Sequence, residues 1–219
     1  MDAGCRRHDV RARFMLSAHE VTTLQDQLTE SWHIDGSMEA RSAENEWLQR
    51  VVRQHRANFD LWHIEDEART PGVTHAELAD VKRRIDTTNQ LRNDLAEDLD
   101  RMLLEWLASR QLPNQEAPLH SESPGLIIDR LSILALKIYH TGEEAQRGDA
   151  PPGHAERNRS RLAILEEQRA DLAQCLDALW RDTLAGTRRF KLYRQLKMYN
   201  DPTLNPAIYR KSTDDDTSA

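Results

Sequence analysis

Along most of the chain apolar side chains recur every three or four positions between short polar breaks, the pattern of amphipathic helices. Val21, Leu24 and Leu28 predict a first helix over residues 16–31, followed by Trp32, His33 and an Asp35-Gly36 break. Trp47, Leu48, Val51, Val52, Phe59 and Trp62 predict a second over 42–69, which Thr70-Pro71-Gly72 ends. Thr74-His75-Ala76-Glu77 reads as a capping box opening a long third helix, whose stripe of Leu78, Val81, Ile85, Leu95, Leu99, Leu103 and Trp106 runs to about Ser109. After a loop marked by Pro113 and Pro118, Ser123-Pro124 places a capping hydroxyl before a proline at the first helical position. The fourth helix then covers 126–144 and reads as central. Pro151-Pro152-Gly153 precedes a fifth helix over 154–184 closed by Gly186, and a shorter sixth is predicted over 187–199 before Asn-Asp-Pro and Asn-Pro turns. No strand pairing or internal repeat emerges. The expectation is an all-α, single-domain helical bundle of about six helices over 15–210. A disordered extension at 1–14 precedes it and a disordered acidic tail at 211–219 follows; Met15 is an alternative start.

Composition narrows the function classes. With 31% charged residues and only 8 Gly and 8 Pro in 219 positions, the chain has too few breakers for a β-sandwich or barrel. It carries no uncharged apolar run long enough for a membrane span and no signal-peptide pattern, so a cytoplasmic protein is expected. Cys5 and Cys175 are too few for a disulfide framework. A net charge of −7 argues against extensive nucleic-acid binding.

Several polar residues fall where apolar ones belong. On the second helix Asn58, Glu65, Asp66 and Arg69 share a side with Trp47, Val51 and Trp62, so they either emerge to solvent, with Glu65 and Arg69 as an i,i+4 pair, or line a polar site. On the third helix Arg92 falls within the apolar stripe and needs a partner, for which Glu65 or Asp66 is the natural choice, whereas Lys82, Asp86, Asn89, Asn93, Glu97 and Asp100 form an opposite, solvated stripe. Glu77-x-x-Asp80 and Glu97-x-x-Asp100 repeat a spacing that could hold Mg²⁺, which makes a divalent metal a candidate cofactor. On the fourth helix Asp129, Arg130, Lys137, His140 and Glu144 fall within one sector of about 100°. There Lys137 could hold an anion, Asp129 could orient it and His140 could move a proton. Arg188, Arg189, Lys191, Arg194 and Lys197 form a dense basic segment that could receive a phosphate or neutralise the acids of the second and third helices. Glu30-x-x-His33 matches half of a carboxylate-bridged di-iron pattern, but the second half is missing. No phosphate loop, HExxH or nucleophile elbow is present.

Segments in order carry a family resemblance: 61–69 (LWHIEDEAR), 82–86 (KRRID) with 89–95 (NQLRNDL), 121–125 (SESPG) running into 128–140 (IDRLSILALKIYH), and 197–202 (KMYNDP) with Leu204, Asn205, Pro206 and Tyr209. Together they resemble the bacterial family known as domain of unknown function 4254, over about residues 21–210. The resemblance implies an all-helical protein, often encoded near glycosyltransferases and other surface-polysaccharide genes, and it supplies no established reaction. It places His63, Glu65, Asp66, Arg69, Asp86, Asn89, Arg92, Asp129, Arg130, Lys137 and His140 in the family's motif.

The functional expectation is a polar pocket enclosed by the second, third and fourth helices, taking a phosphorylated or nucleotide-linked small molecule such as an activated sugar. Glu65, Asp66, Asp86 and His140 are the catalytic candidates. His63, Arg69, Asn89, Arg92, Asp129, Arg130 and Lys137 are the binding candidates, with the basic sixth helix closing over the anion. One enzymatic alternative is a metal-dependent pyrophosphatase similar to the MazG-type all-α hydrolases, from which the chain departs because Asp80 replaces a Glu and both acidic pairs share one helix. Another is a noncatalytic adaptor that binds a glycosyltransferase or other pathway enzyme, or forms a homodimer through the third helix.

Overall fold

The computed structural model describes residues 16–34, 46–196 and 203–206. Among them it has five helices: α1 (Ala18–Ile34), α2 (Glu46–Glu67), α3 (His75–Ala108), α4 (Pro124–Gln146) and α5 (His154–Leu184). The expected all-α bundle is therefore what forms, and no described helix is long and apolar enough to cross a membrane. The extension at 1–14, Met15, the tail at 211–219 and the turn at 200–202 lie outside the described residues.

The helices α2 and α3 form one antiparallel hairpin, which Arg84 clips at its turn by donating two hydrogen bonds to the Glu67 carboxylate at 2.5 and 3.0 Å. The Thr74 capping box is present: the Thr74 hydroxyl accepts from Glu77 N–H at 3.3 Å and the Glu77 carboxylate accepts from Thr74 N–H at 2.8 Å. Helices α4 and α5 form the second hairpin, and α4 touches all four others. Its sequence explains why: Ile127, Ile128, Leu131, Ala135 and Leu136 are buried on several sides of the helix. Ile127, Ile128 and Leu131 share the main core with Val51 of α2, Leu99 and Leu103 of α3, and Leu176 and Trp180 of α5. A smaller cluster of Leu28, Trp32, Val52, Phe59 and Leu136 fills the space between α1, α2 and α4.

Two expectations fail at helix starts and ends. The Ser123 hydroxyl does not cap α4; it donates to buried Asp100 of α3, and a second Asp100 oxygen accepts from Gly125 N–H at 2.7 Å. Asp100 thus serves as a cap supplied by another helix, where a carboxylate also meets the positive end of the α4 dipole. It belongs to the interior, as does Asn93, and not to a solvated stripe. Gly125 is required because a Cβ there would lie 2.2 Å from the Ala96 carbonyl oxygen, so α4 starts in direct backbone contact with α3.

The sixth helix does not form over 187–196. Gly186, at φ +71°, ends α5, and the following segment runs extended, with Arg189 bridged to Leu119. Arg189 N–H donates to Pro118 at 3.1 Å and its carbonyl accepts from His120 at 2.7 Å, while Phe190 is buried in the main core. The buried aromatic and the pairing with the 117–120 loop hold this segment in its extended form. Lys197 and the remainder of the expected helix lie outside the described residues.

Candidate functional site

Between α2, α3 and α4 lies a cleft of about 350 Å³. Leu61, Ile133 and Leu136 form its apolar wall, Trp62 presents an indole, and Glu65, Asp66, Arg69 and Arg92 supply charge, with Asn58 at the base. Five of the polar residues singled out from sequence, Asn58, Glu65, Asp66, Arg69 and Arg92, therefore share one concavity made by the three helices expected to enclose it. Glu65 and Arg69 pair at 3.0 Å along α2. Arg92 does not bridge to Glu65 or Asp66 as expected; its partner is Asp129 of α4, at 3.6 Å, because the carboxylate buried beneath the cleft is the one that lacks water. The Arg92 Nε has no partner among the described residues.

Asp129 heads a buried hydrogen-bond chain. Its Oδ1 accepts from Gln54 at 2.6 Å and from Asn58 at 2.9 Å, and the second N–H of Asn58 reaches the Ser132 hydroxyl at 2.9 Å. Ser132 contacts His55 Nδ1 at 2.7 Å, and His55 Nε2 contacts the Thr29 hydroxyl at 2.9 Å, whose own proton goes to the Gln25 carbonyl. With the Thr29 proton committed, His55 donates from Nε2 and accepts the Ser132 proton at Nδ1, so each bond fixes the direction of the next. Burial pulls the His55 pKa down to about 3, leaving the ring neutral. Burial likewise raises the Asp129 carboxyl above its ordinary value, opposed by Arg92 and by the bonds from Asn58 and Gln54. The chain ties α1, α2 and α4 together below the cleft and holds the anchor of Arg92 in place. Of its members only Asn58 and Asp129 stood out in the sequence; Gln54 and His55 sit between Arg53 and Arg56 in the chain, and their helical spacing from Val51 and Asn58 was the available signal.

The other candidates lie elsewhere. Asp86 pairs with Lys82 and Asn89 is half-buried on α3, and neither lines the cleft. The charged sector of α4 is split by Ile133, which borders two concavities. Asp129 and His140 turn toward α2, whereas Arg130 and Lys137 face an open groove of about 790 Å³ between α4 and α5. There Arg130 is paired with Glu122 at 2.8 Å, as Arg69 is with Glu65 and Arg92 with Asp129 in the cleft. Nor do residues 188–196 line the cleft, so the expected closure by the basic segment is absent among them.

The acidic pairs do not converge either. Glu77 caps α3, Asp80 pairs with Arg83, Asp100 caps α4 and Glu97 accepts from Gln195 N–H at 2.7 Å. That dispersal removes the geometric basis for the Mg²⁺ site and for the MazG-like reading. Among the described residues the ligand-type side chains that converge are three imidazoles, His33 of α1, His63 of α2 and His140 of α4. Phe59, Trp62 and Tyr139 wall them in, with Trp62 stacked on His140 at 4.9 Å and 8° and Tyr139 stacked on His33 at 4.3 Å. Burial lowers the His140 pKa, with Glu143 opposing and His33 and His63 adding to the shift. His63 and His140 stood in separate motifs of the sequence. His33 was singled out only in the incomplete Glu30-x-x-His33 pattern, since nothing in one chain's spacing shows that α1 ends beside α2 and α4.

No curated protein and no solved structure matches the chain. A family model described as "Protein of unknown function (DUF4254)" matches residues 48–192, a stretch that contains the whole cleft together with His63 and His140, while His33 precedes it. The chain belongs to this DUF4254 family.

Proposed function

We propose that the cleft between α2, α3 and α4 binds a small phosphorylated or nucleotide-linked molecule, an activated sugar foremost, and that the protein serves a biosynthetic pathway in the cytoplasm. The observation carrying this reading is the convergence of two guanidinium groups, two carboxylates and an indole on one cleft backed by a fixed buried network. Phosphate oxygens suit the forked donors of Arg69 and Arg92. Sugar hydroxyls suit the acceptors of Glu65 and Asp66, and the Trp62 ring offers an apolar face for C–H groups. A volume near 350 Å³ sits at the small end of ligand sites, in keeping with a sugar phosphate.

A ligand phosphate that recruits Arg69 would release the Glu65 carboxylate from its ion pair, freeing it to take a proton from a hydroxyl. Glu65 and Asp66 therefore stay as the acid/base candidates, Arg69 and Arg92 as anion holders, and Asp129 as the group that positions Arg92. The genomic neighbourhood implied by the family resemblance, glycosyltransferases and surface polysaccharides, agrees with this substrate class.

Thermal unfolding against a panel of sugar phosphates, nucleotides and nucleotide sugars tests the reading. A ligand at 100 times its dissociation constant adds roughly 2.7 kcal/mol to the folded state. The shift should vanish in Arg69→Gln and Glu65→Gln and survive in Lys137→Gln. Loss in Lys137→Gln alone would put the ligand in the α4–α5 groove. No shift from any member of the panel would favour an adaptor for a glycosyltransferase.

A further inference from the structure

We propose that His33, His63 and His140 bind one divalent transition-metal ion of the zinc class through their Nε2 atoms. The reasoning starts from the other nitrogen of each ring. His33 Nδ1 lies 2.7 Å from the Thr29 carbonyl and His63 Nδ1 lies 2.8 Å from the Phe59 carbonyl, while His140 Nδ1 lies 2.9 Å from the Glu143 carboxylate. Carbonyls and carboxylates only accept, so all three Nδ1 atoms carry the proton, and in the neutral rings all three Nε2 atoms carry a lone pair. The same arrangement orients metal-binding histidines in general, with the outer ring N–H held by a carbonyl or carboxylate.

The three rings offer one ligand nitrogen each within 4.8 Å of one another, and the Nε2 atoms of His33 and His140 are buried with no hydrogen-bond partner among the described residues. Unsatisfied buried acceptors are costly; one water has two protons and so leaves at least one of the three Nε2 lone pairs unused. One cation serves all three. Atoms no more than 4.8 Å apart leave a central point within about 2.8 Å of each, against about 2.0–2.1 Å in zinc–imidazole bonds, so closure needs under about 1 Å from each ring.

The donor set selects the ion. Three neutral imidazoles suit zinc and its first-row neighbours, whereas Mg²⁺ and Ca²⁺ require oxygen donors. His33 stands in the last turn of α1, where the negative end of the helix dipole favours a cation. Three protein ligands leave a position for water or for a ligand oxygen, as in open metal sites. Trp62 stacks on His140 and also lines the cleft, so the ion would sit next to the small-molecule site, yet its binding does not depend on what the cleft takes.

Titration of the chelator-stripped full chain with Co²⁺, Zn²⁺ and Mg²⁺ tests the assignment. The result expected is one Co²⁺ per chain with a visible nitrogen-ligand spectrum, displacement by Zn²⁺ and no response to Mg²⁺. His33→Gln, His63→Gln and His140→Gln should each weaken Zn²⁺ at least about 100-fold, beyond the loss typical of outer-sphere changes, with His120→Gln unchanged. Absence of stoichiometric Co²⁺ or Zn²⁺ binding, or binding that survives all three substitutions, would overturn the proposal. Should a variant fail to fold, imidazole ¹⁵N spectra of the wild-type chain decide. Zinc must shift Nε2 of these three among the nine histidines, and shifts confined to others would contradict it.

Discussion

Burial governs two ionisable side chains that take no part in the cleft. The Asp100 pKa is pushed up to about 7 by burial, against the bonds from Ser123 and Gly125. A carboxyl that holds its proton more tightly in the folded chain than at its ordinary 3.8 makes stability fall as pH rises from about 4 to about 7. His55 acts with the opposite sign, because its pKa is depressed from 6.5 to about 3; its contribution is full above 6.5 and is lost as pH falls toward 3. The two effects oppose each other in the wild-type profile, so a difference measurement is needed. Asp100→Asn keeps an oxygen for Gly125 N–H and cannot ionise. Its urea-derived stability relative to wild type should therefore climb by more than about 1 kcal/mol between pH 4 and 7. A pH-independent difference would show that Asp100 ionises normally. From sequence this residue looked like half of an acidic pair on a wet stripe. Nothing in one helix's periodicity reveals that the start of another will descend on it.

At the scale of elements, α4 joins what was legible to what was not. Its apolar coverage marked it as central, and its proline at the first helical position and its length were readable. Its charged sector read as a single stripe, whereas Ile133 divides it between two concavities, a division that depends on where α2 and α5 pack. Its two glycines separate backbone contact from open space. Gly125→Ala drives a methyl into the Ala96 carbonyl and should cost about 1–3 kcal/mol or more, as overpacking against backbone does. Gly142→Ala meets nothing within 4 Å in the same helix and should gain up to about 1 kcal/mol. Denaturant unfolding of the pair checks both signs; a neutral Gly125→Ala would mean that α4 is not held against α3. The extended run after α5 shows the converse limit. Its basic and aromatic residues fit a helical wheel, yet one buried Phe190 and backbone pairing with the 117–120 loop decide its conformation.

For the whole molecule, the five helices place on one side of the bundle a charged cleft and a histidine cluster that share Trp62. The membership of Glu65, Asp66, Arg69 and Arg92 was legible because charges on an apolar face need a reason. The partner of Arg92, the role of His33 and the exile of Asp86, Arg130 and Lys137 were not, because they depend on helix rotation and register between segments far apart in sequence. The claim that the cleft is the functional site is tested most directly by following the five indole N–H resonances of the chain while titrating the sugar phosphate that gives the largest thermal shift. Saturable movement of the Trp62 resonance, lost in Arg69→Gln, is the result predicted. A ligand that binds while Trp62 stays still would contradict the assignment.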